Sequence, residues 1–268
     1  MSEKEVEIVL CVPGPWVDRS DLVERIVKDS EGYIFAGMIL MHMETNQSFE
    51  LEFEDSDERM LSAFESAGSH WNNSPEMDLI SSHKSVCYLI SKGGSIESAH
   101  SIMNAANALL KAGGLGVKVE STGLAHSAKD WGEQCEYSYL FKSHSSYVVY
   151  VTSDETYSCG MHNFGLPDAI INSADSDNAS ELLRAFTKYI LSESPDINDG
   201  QTFSVDSESL AYKITKHPTI DYGENTLFNN PFGMWKLYPL EEETNKSMLS
   251  DWFYAPLQSI RKCWRNMP

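Results

Sequence analysis

The stretch from Gly93 to Trp131 constrains the fold of this chain more than any other. Behind its first two glycines, apolar residues recur at intervals of three and four, which predicts an amphipathic helix with one buried stripe. The stripe consists of Ile96, Ala99, Met103, Ala106 and Leu110. Ser95 can cap the start of this helix. Gly113 and Gly114 can end it, because glycine accepts a left-handed backbone without a steric penalty.

Strands are predicted on both sides of this helix. Val117 and Val119 alternate with charged residues, which is the period of a strand with one buried face. Ser85 to Ser91 has the composition of a strand that leads into the helix. If both strands lie in one sheet, they form a parallel β-α-β unit with a right-handed crossover.

The residues before this stretch predict a strand, a helix, a hairpin and a second helix. Their expected ranges are 5–12, 18–27, 33–43 with 48–54, and 57–67. Pro13-Gly14-Pro15 should stop the first strand, since proline offers no backbone donor, and Asp18 can cap the first helix. In the second hairpin arm every other residue is apolar, so one face of the sheet should be in water. The polar stretch 68–75 is expected to be a surface loop.

The second half of the chain is predicted to be rich in strands, with one long helix. The expected strands are 147–152, 157–162, 201–205 and 210–216. Asn178 and Glu181 resemble a capping box at the start of the helix, and Ser194-Pro195 closes it. The element order begins β-α-β-β-α-β-α-β, which predicts an α+β fold with mixed sheets and helices packed mainly on one face.

The length of the chain is compatible with two domain arrangements. Residues 1–243 form either one α+β domain or two packed halves that divide near 132–146. Residues 244–268 are predicted to form an aromatic and basic helical extension, interrupted at Pro256. This extension can dock on its own core, bind a partner or a second copy of the chain, or lie on a membrane surface.

Charge limits the partners. The chain has 40 Asp and Glu against 20 Lys and Arg, a formal net charge of −20. Such a surface repels nucleic acid and anionic membranes and favours a basic protein partner. The acid is concentrated in residues 49–58, either as a solvated face or as a binding surface. The candidate partner-binding residues are Glu50, Glu52, Glu54, Asp55, Asp57, Trp71, Trp252, Phe253 and Trp264.

Several features predict a cytoplasmic protein. The five cysteines are an odd number without close pairs, which indicates reduced thiols. The first ten residues are charged and contain no apolar signal-peptide core. The longest apolar run, 34–41, is too short to span a bilayer.

No cofactor, metal site or catalytic set is predicted. Cys159 and His162 could join His126 and Cys135 around a zinc ion, but structural zinc sites have two close pairs of ligands and this chain has one. The loop 121–127 is the best candidate pocket, since small hydroxyl residues beside a histidine can bind an anion or a substrate. Its candidate residues are Ser121, Thr122 and His126. Alternatively, this loop starts a helix and the histidine is bonded to the backbone.

Three motifs carry a family resemblance: GGLGVKVESTGLAHSA after the long helix, FGLPDAIIN, and NDGQTF after the last amphipathic helix. Together they make the chain, from about residue 85 to about residue 238, similar to the bacterial domain-of-unknown-function family numbered 4261. The resemblance implies a bacterial protein of the kind found near contact-dependent toxin and immunity genes. It implies no catalytic residues.

These observations predict a non-enzymatic immunity protein that neutralises a secreted antibacterial toxin through an acidic surface, with a basic nuclease as one example. Two alternatives remain open. The first is an enzyme or a small-ligand-binding protein that uses the His126 loop. The second is a homo-oligomeric structural protein joined through Trp252, Phe253 and Trp264. The expected oligomeric state is a monomer or a homodimer.

Overall fold

The structure, a computed structural model, describes residues 6–135 and 140–240. These residues form two β-sheets and seven α-helices, which confirms the predicted α+β class. Sheet 1 contains β1 (Glu7–Gly14), β2 (Tyr33–Ala36), β3 (Ile39–His42), β4 (Ser48–Asp55), β5 (Ser85–Lys92), β6 (Gly116–Val119) and β7 (Ala125–Ser127). Sheet 2 contains β8 (Val149–Thr152), β9 (Glu155–Cys159), β10 (Asp168–Asn172), β11 (Thr202–Phe203), β12 (Tyr212–His217) and β13 (Met234–Pro239). The helices are α1 (Arg19–Asp29), α2 (Met60–Glu65), α3 (Pro75–Ser81), α4 (Ile96–Lys111), α5 (Ala128–Cys135), α6 (Leu140–Tyr147) and α7 (Ala179–Glu193).

Sheet 1 has its first strand near the centre. Its order is β2-β3-β4-β5-β1-β6-β7, and every neighbouring pair is antiparallel. Because β1 is antiparallel to both β5 and β6, those two strands run in the same direction. The predicted parallel β-α-β unit is therefore present, with β1 inserted between its two strands.

The helix of this unit begins and ends where the sequence predicts. The Ser95 hydroxyl accepts a hydrogen bond from the Ser98 backbone amide, and the Ser98 hydroxyl accepts one from the Ser95 backbone amide, which completes a capping box. Helix α4 ends at Lys111, and Gly113 follows with a φ of +109°. Its predicted stripe is buried except for Ile96, which is partly buried against the core.

Two other helix starts were also predicted correctly. Asp18 accepts a hydrogen bond from the Asp21 backbone at the start of α1. Asn178 does the same for the Glu181 backbone at the start of α7. The Glu181 side chain forms an ion pair with Arg184. The start of α7 is therefore capped by the Asn178 side chain.

Two predictions about the first strands were wrong. The segment predicted as one strand, 33–43, is a hairpin of β2 and β3, and it turns at Gly37 with a φ of +59°. Strand β1 continues through Pro13, which pairs with Val86. Strand pairing continues at Pro13 because its carbonyl oxygen still accepts a hydrogen bond, from the Leu115 backbone amide.

Sheet 2 is mixed. Its order is β11-β12-β13-β10-β9-β8, in which only β10 and β13 run parallel among the described strands. Helix α7 packs on β8, β9 and β10. The largest buried cluster includes side chains from both sheets, among them Leu10 and Ile171.

A second, smaller core lies on the other face of sheet 1. Helices α2 and α3 place Phe64 and Met77 there, over Cys11 and Val86 of the sheet. Trp71 stands edge-on to Phe64, with ring centroids 5.0 Å apart, and is 2% exposed. The expected surface position of Trp71 is therefore wrong, since the aromatic side chain fills this small core.

None of the helices in the described residues is long and apolar enough to cross a membrane. The predicted extension 244–268, with Trp252, Phe253 and Trp264, lies outside the described residues.

Candidate protein-binding face and buried polar cluster

The acidic strand β4 lies inside sheet 1, between β3 and β5. Its apolar residues Phe49 and Leu51 are buried, at 5% and 0% exposure. Glu50 and Glu54 are exposed, and Glu52 is half-buried on the same side. The predicted alternation is therefore present, and it directs the carboxylates away from the main core.

Aliphatic side chains surround these carboxylates. Opposite residues of paired strands share one face of a sheet, and Glu50 pairs with Ile39 on one side and Ile90 on the other. Ile90 in turn pairs with Val9. Ile39 is 45% exposed. We call this surface the open face, defined as Val9, Ile39, Met41, Glu50, Glu52 and Ile90.

The open face ends where the small helices begin. Glu52 pairs with Tyr88, which packs partly against the core of α2 and α3. Burial raises the pKa of Tyr88 to about 12, so its hydroxyl is neutral. Beyond it, Lys118 and Glu120 form an ion pair at 2.7 Å. The open face is thus an apolar surface with interleaved carboxylates and a polar border.

The two other acidic candidates differ from each other. Asp55 is exposed at the end of β4. Asp57 is engaged: its carboxylate accepts two hydrogen bonds from the Arg59 side chain, at 2.9 and 3.0 Å, and one from the Arg59 backbone. The Arg59 side chain holds the pKa of Asp57 below its usual value. Asp57 therefore offers a partner less charge than Asp55 does.

The predicted pocket residues, Ser121, Thr122 and His126, make separate contacts. His126 lies on β7, where its Nε2 is 3.0 Å from the Ser146 carbonyl oxygen. Ser121 is fully buried and donates to the Asn163 side chain at 3.1 Å. Thr122 is 7% exposed, and its hydroxyl has no hydrogen-bond partner among the described residues. The alternative interpretation, a histidine bonded to the backbone before a capped helix, matches this geometry, because Ser127 accepts from the Asp130 backbone at the start of α5.

A cleft of about 270 Å³ lies elsewhere, between the end of α1, the hairpin of β2 and β3, and α4. It is open and mostly polar. Its lining residues include Tyr33, His42, Gln47, Asn104 and Asn107. None of the three predicted pocket residues belongs to it.

The four residues considered for zinc differ in burial: Cys159 and His162 are buried, whereas His126 and Cys135 are half-buried. Within 6–135 and 140–240, no three His, Cys, Asp or Glu side chains lie close enough together to hold a metal ion. Burial, followed by the nearby Asp168 carboxylate, raises the pKa of Cys159 to about 12, which keeps the thiol protonated. Neither ring nitrogen of His162 has a hydrogen bond of ordinary geometry to a described residue. Burial lowers the pKa of His162 to about 4, against a weaker opposing effect of the Leu227 backbone.

A buried polar cluster around Asp168 joins three segments of the second half. The Asp168 carboxylate accepts from the Ser158 hydroxyl at 2.9 Å, from the Asn230 amide at 2.6 Å and from the Met161 backbone at 3.3 Å. Asn230 also donates to the Leu166 carbonyl oxygen at 3.0 Å. No Lys or Arg of the described residues forms a salt bridge with this carboxylate.

Asp168 should give a measurable pH dependence. Burial raises its pKa from 3.8 to about 6, so the folded chain binds this proton more tightly than the unfolded chain does. The contribution of Asp168 to stability therefore falls as the pH rises from about 4 through 6. Relative to Asp168→Asn, the wild type should lose about 2 kcal/mol of unfolding free energy between pH 4.5 and 7.5. Urea unfolding of both proteins checks this, and a pH-independent difference would show that the carboxyl does not titrate in the folded state.

Sequence reasoning found the carboxylates of the open face but missed its aliphatic part. Ile39 and Ile90 belong to strands that flank β4 only through the sheet order. The pairing of Asp168 with Asn230 was also missed, because these residues are 62 positions apart. The sequence gives one indication that Asp168 has a polar partner. It begins an apolar strand, and a buried carboxylate needs such a partner.

Part of the second half of the chain matches a known family model. Neither the curated proteins nor the solved structures contain a match. Two of the three motifs, FGLPDAIIN and NDGQTF, lie within the matched region, which is shorter than the expected 85–238. Residues 157–228 match the model of the family described as Domain of unknown function (DUF4261), which confirms the family resemblance inferred from the sequence.

Proposed function

We propose that this chain is a non-enzymatic protein-binding module, and specifically an immunity protein that neutralises a secreted antibacterial toxin with a basic surface. The observation that carries the proposal is the open face. There, the exposed carboxylate of Glu50 lies between the exposed side chain of Ile39 and the half-buried side chain of Ile90.

The two kinds of side chain have different roles in binding. Carboxylates attract a basic protein over a distance and raise the association rate, an effect that salt weakens. The aliphatic side chains lose contact with water only in the complex, so they slow dissociation. The net charge of −20 adds a general attraction for a basic partner. A nuclease domain with a basic surface fits both the carboxylates and the aliphatic side chains of the open face.

The thiol of Cys159 is buried and protonated, and His126 is bonded to the Ser146 carbonyl oxygen, so neither residue supports the enzyme alternative. The family resemblance supports the immunity role in one way: it implies a gene that lies near contact-dependent toxin and immunity genes. We therefore place the function on the open face and assign no catalytic residue.

Reversal of the strand charges is expected to weaken toxin binding. The change is Glu50→Lys, Glu52→Lys and Glu54→Lys together. At low salt we expect the association rate with the product of the adjacent gene to fall by about tenfold to a hundredfold, because the approaching basic surface is now repelled. Surface plasmon resonance at two salt concentrations measures the rate, and growth of cells that produce the toxin measures protection.

A matched control separates position from net charge. Asp154, Asp177 and Glu224 are exposed on the half of the chain that carries sheet 2, and their replacement by lysine changes the net charge by the same amount. This control should retain most of the association rate. Equal loss in both variants would place the binding surface elsewhere, and unchanged protection in the β4 variant would refute the proposed mechanism.

A further inference from the structure

One stripe of helix α4 is polar and faces a cleft instead of the core. Asn104, Asn107 and Lys111 recur on this stripe at intervals of three and four, and all three line the polar cleft of about 270 Å³. Ala108 also lines it and is buried, and its side chain is too small to fill the space. We call this space the α4 cleft. Its other walls are the end of α1 and the hairpin of β2 and β3.

Two contacts join the walls of the α4 cleft, one toward each end of the helix. The Gln47 side-chain amide donates to the Ser101 hydroxyl at 2.9 Å, which joins the hairpin to α4. The Lys111 ammonium group donates to the Glu31 carboxylate, which joins α4 to the turn after α1. Ser101 and Lys111 are about 15 Å apart along the helix axis. The two contacts therefore set the width of the space that lies between them.

Polar groups between these two contacts are available to a ligand. The side-chain carboxamides of Asn104 and Asn107 form no hydrogen bond with a described residue. The Thr45 backbone amide donates to Nδ1 of His42 at 3.2 Å, so the neutral imidazole carries its proton on Nε2. A Cβ at Gly32 would lie 3.3 Å from this Nε2, so the glycine leaves the nitrogen uncovered. The α4 cleft thus presents two carboxamides and one imidazole N–H.

Charge excludes an anionic ligand, and shape disfavours a flat one. Lys111 is the one Lys or Arg among the described residues that line the cleft, and Glu31 already pairs with it. A phosphate or carboxylate would therefore find no available cation there. Tyr33 is 7% exposed and forms a T-shaped pair with His42, so the tyrosine offers no open ring face on which a nucleobase could stack.

Size and hydrogen bonding favour a ligand rich in hydroxyl groups. A carboxamide presents donors and an acceptor side by side, and a hydroxyl group can both donate and accept. The volume of about 270 Å³ is just below the range of roughly 300–1,000 Å³ that pockets for drug-sized ligands occupy. The α4 cleft therefore has room for a single ring that carries several hydroxyl groups.

We propose that the α4 cleft binds a neutral monosaccharide, whose hydroxyl groups bond to Asn104, Asn107 and His42. The site is separate from the open face. His42 follows Met41 on β3, and consecutive side chains of a strand point to opposite sides of the sheet, whereas Met41 belongs to the open face. Sugar binding therefore goes beyond the proposed function, and each of the two proposals can fail without the other.

Titration of the full chain with free sugars tests the site, followed by NMR of the ¹⁵N-labelled protein. The probes are glucose, galactose, mannose and N-acetylglucosamine, with uracil as a flat ligand that lacks hydroxyl groups. We expect at least one sugar to shift the side-chain amide signals of Asn104 and Asn107 in a saturable manner. The absence of a saturable shift with every sugar, or a shift with uracil alone, would overturn the proposal.

Removal of the carboxamides gives a second readout. Asn104→Ala with Asn107→Ala should fold, because alanine favours a helix more than asparagine does. Its affinity for the bound sugar, read from the backbone amide signals of the cleft, should fall by about tenfold or more, since two hydrogen bonds are lost.

A matched control removes two carboxamides that lie outside the cleft. Asn72 and Asn198 are exposed and do not line it, so Asn72→Ala with Asn198→Ala should keep the affinity of the wild type. The β4 charge-reversal variant should keep it as well. Equal affinity in the cleft variant and in this control would show that the carboxamides do not hold the sugar, and the proposal would be wrong.

Discussion

Gly165→Ala is expected to prevent stable folding. A Cβ at this position would lie 2.2 Å from the Gly94 carbonyl oxygen, and the backbone φ is +77°. Gly94 precedes α4, and its amide donates to the Asn163 carbonyl oxygen at 3.1 Å, so the two segments cannot separate without the loss of that hydrogen bond. We expect a loss of more than about 4 kcal/mol, in the range of the most disruptive single substitutions. Circular dichroism and urea unfolding measure the loss.

Gly123→Ala is the matched control. Gly123 has nearly the same φ, +73°, but a Cβ there would meet nothing within 4 Å. This variant should lose only about 1 to 2 kcal/mol, the cost of a left-handed backbone for alanine. Gly160→Ala should resemble Gly165→Ala, because its Cβ would lie 2.0 Å from the Tyr147 carbonyl oxygen. Equal losses at Gly123 and Gly165 would mean that backbone strain, and not close packing, sets the requirement for glycine.

Acid is expected to destabilise the protein through two buried histidines. Burial lowers the pKa of His144 to about 3 and that of His162 to about 4, from an ordinary value of 6.5. Below pH 6.5 the unfolded chain therefore binds more protons than the folded chain, and stability falls as the pH drops through about 3. One pKa unit corresponds to about 1.4 kcal/mol, so His144 alone should cost about 4 kcal/mol at pH 3. Asp168 acts in the opposite direction and offsets part of this loss.

His144→Gln isolates the larger contribution. The His144 Nε2 is 2.9 Å from the Thr187 hydroxyl, and its Nδ1 is buried without a hydrogen bond to a described residue. Glutamine can keep the contact with Thr187 but does not titrate. Measured by urea unfolding between pH 7.5 and pH 4, the variant should start less stable than the wild type and lose less on acidification. A slope identical to that of the wild type would show that His144 is not the group responsible.

The helices were predictable because their signals are local. The starts of α1, α4 and α7 each depend on one side chain that accepts from a backbone amide three positions later. The apolar stripe of α4 then identifies its buried face. Both signals lie within a few residues of each other, so the sequence alone was sufficient.

The errors arose where a distant element changed the environment. The polar residues around Trp71 predict a loop, yet α2 and α3 form a second layer on sheet 1 and bury the indole. No local pattern indicates that a sheet will be covered on both faces. The turn at Gly37 was hidden by an apolar run, although a lone glycine within a strand is a known signal of a break.

The candidate site shows the same division. The alternation along β4 predicted which carboxylates face the solvent, whereas their aliphatic neighbours depend on the strand order. The family motifs have structural roles: FGLPDAIIN carries Gly165 and Asp168, and in NDGQTF the Gly200 amide donates to the Ile214 carbonyl oxygen at 2.8 Å. These contacts show that both motifs hold the scaffold together.

The position of β1 near the centre of sheet 1 has a consequence for folding. Strands β2, β3 and β4 can pair as soon as their short turns are made, but Leu10 pairs with Val119, which is synthesised much later. One edge of β1 can pair with β5 earlier, but its other edge must remain unpaired while more than a hundred residues are added. Closure of such a distant pairing is slow and exposes the chain to aggregation. Substitutions in β1 should accordingly lower the yield of folded protein during synthesis more than they shorten the lifetime of the folded state.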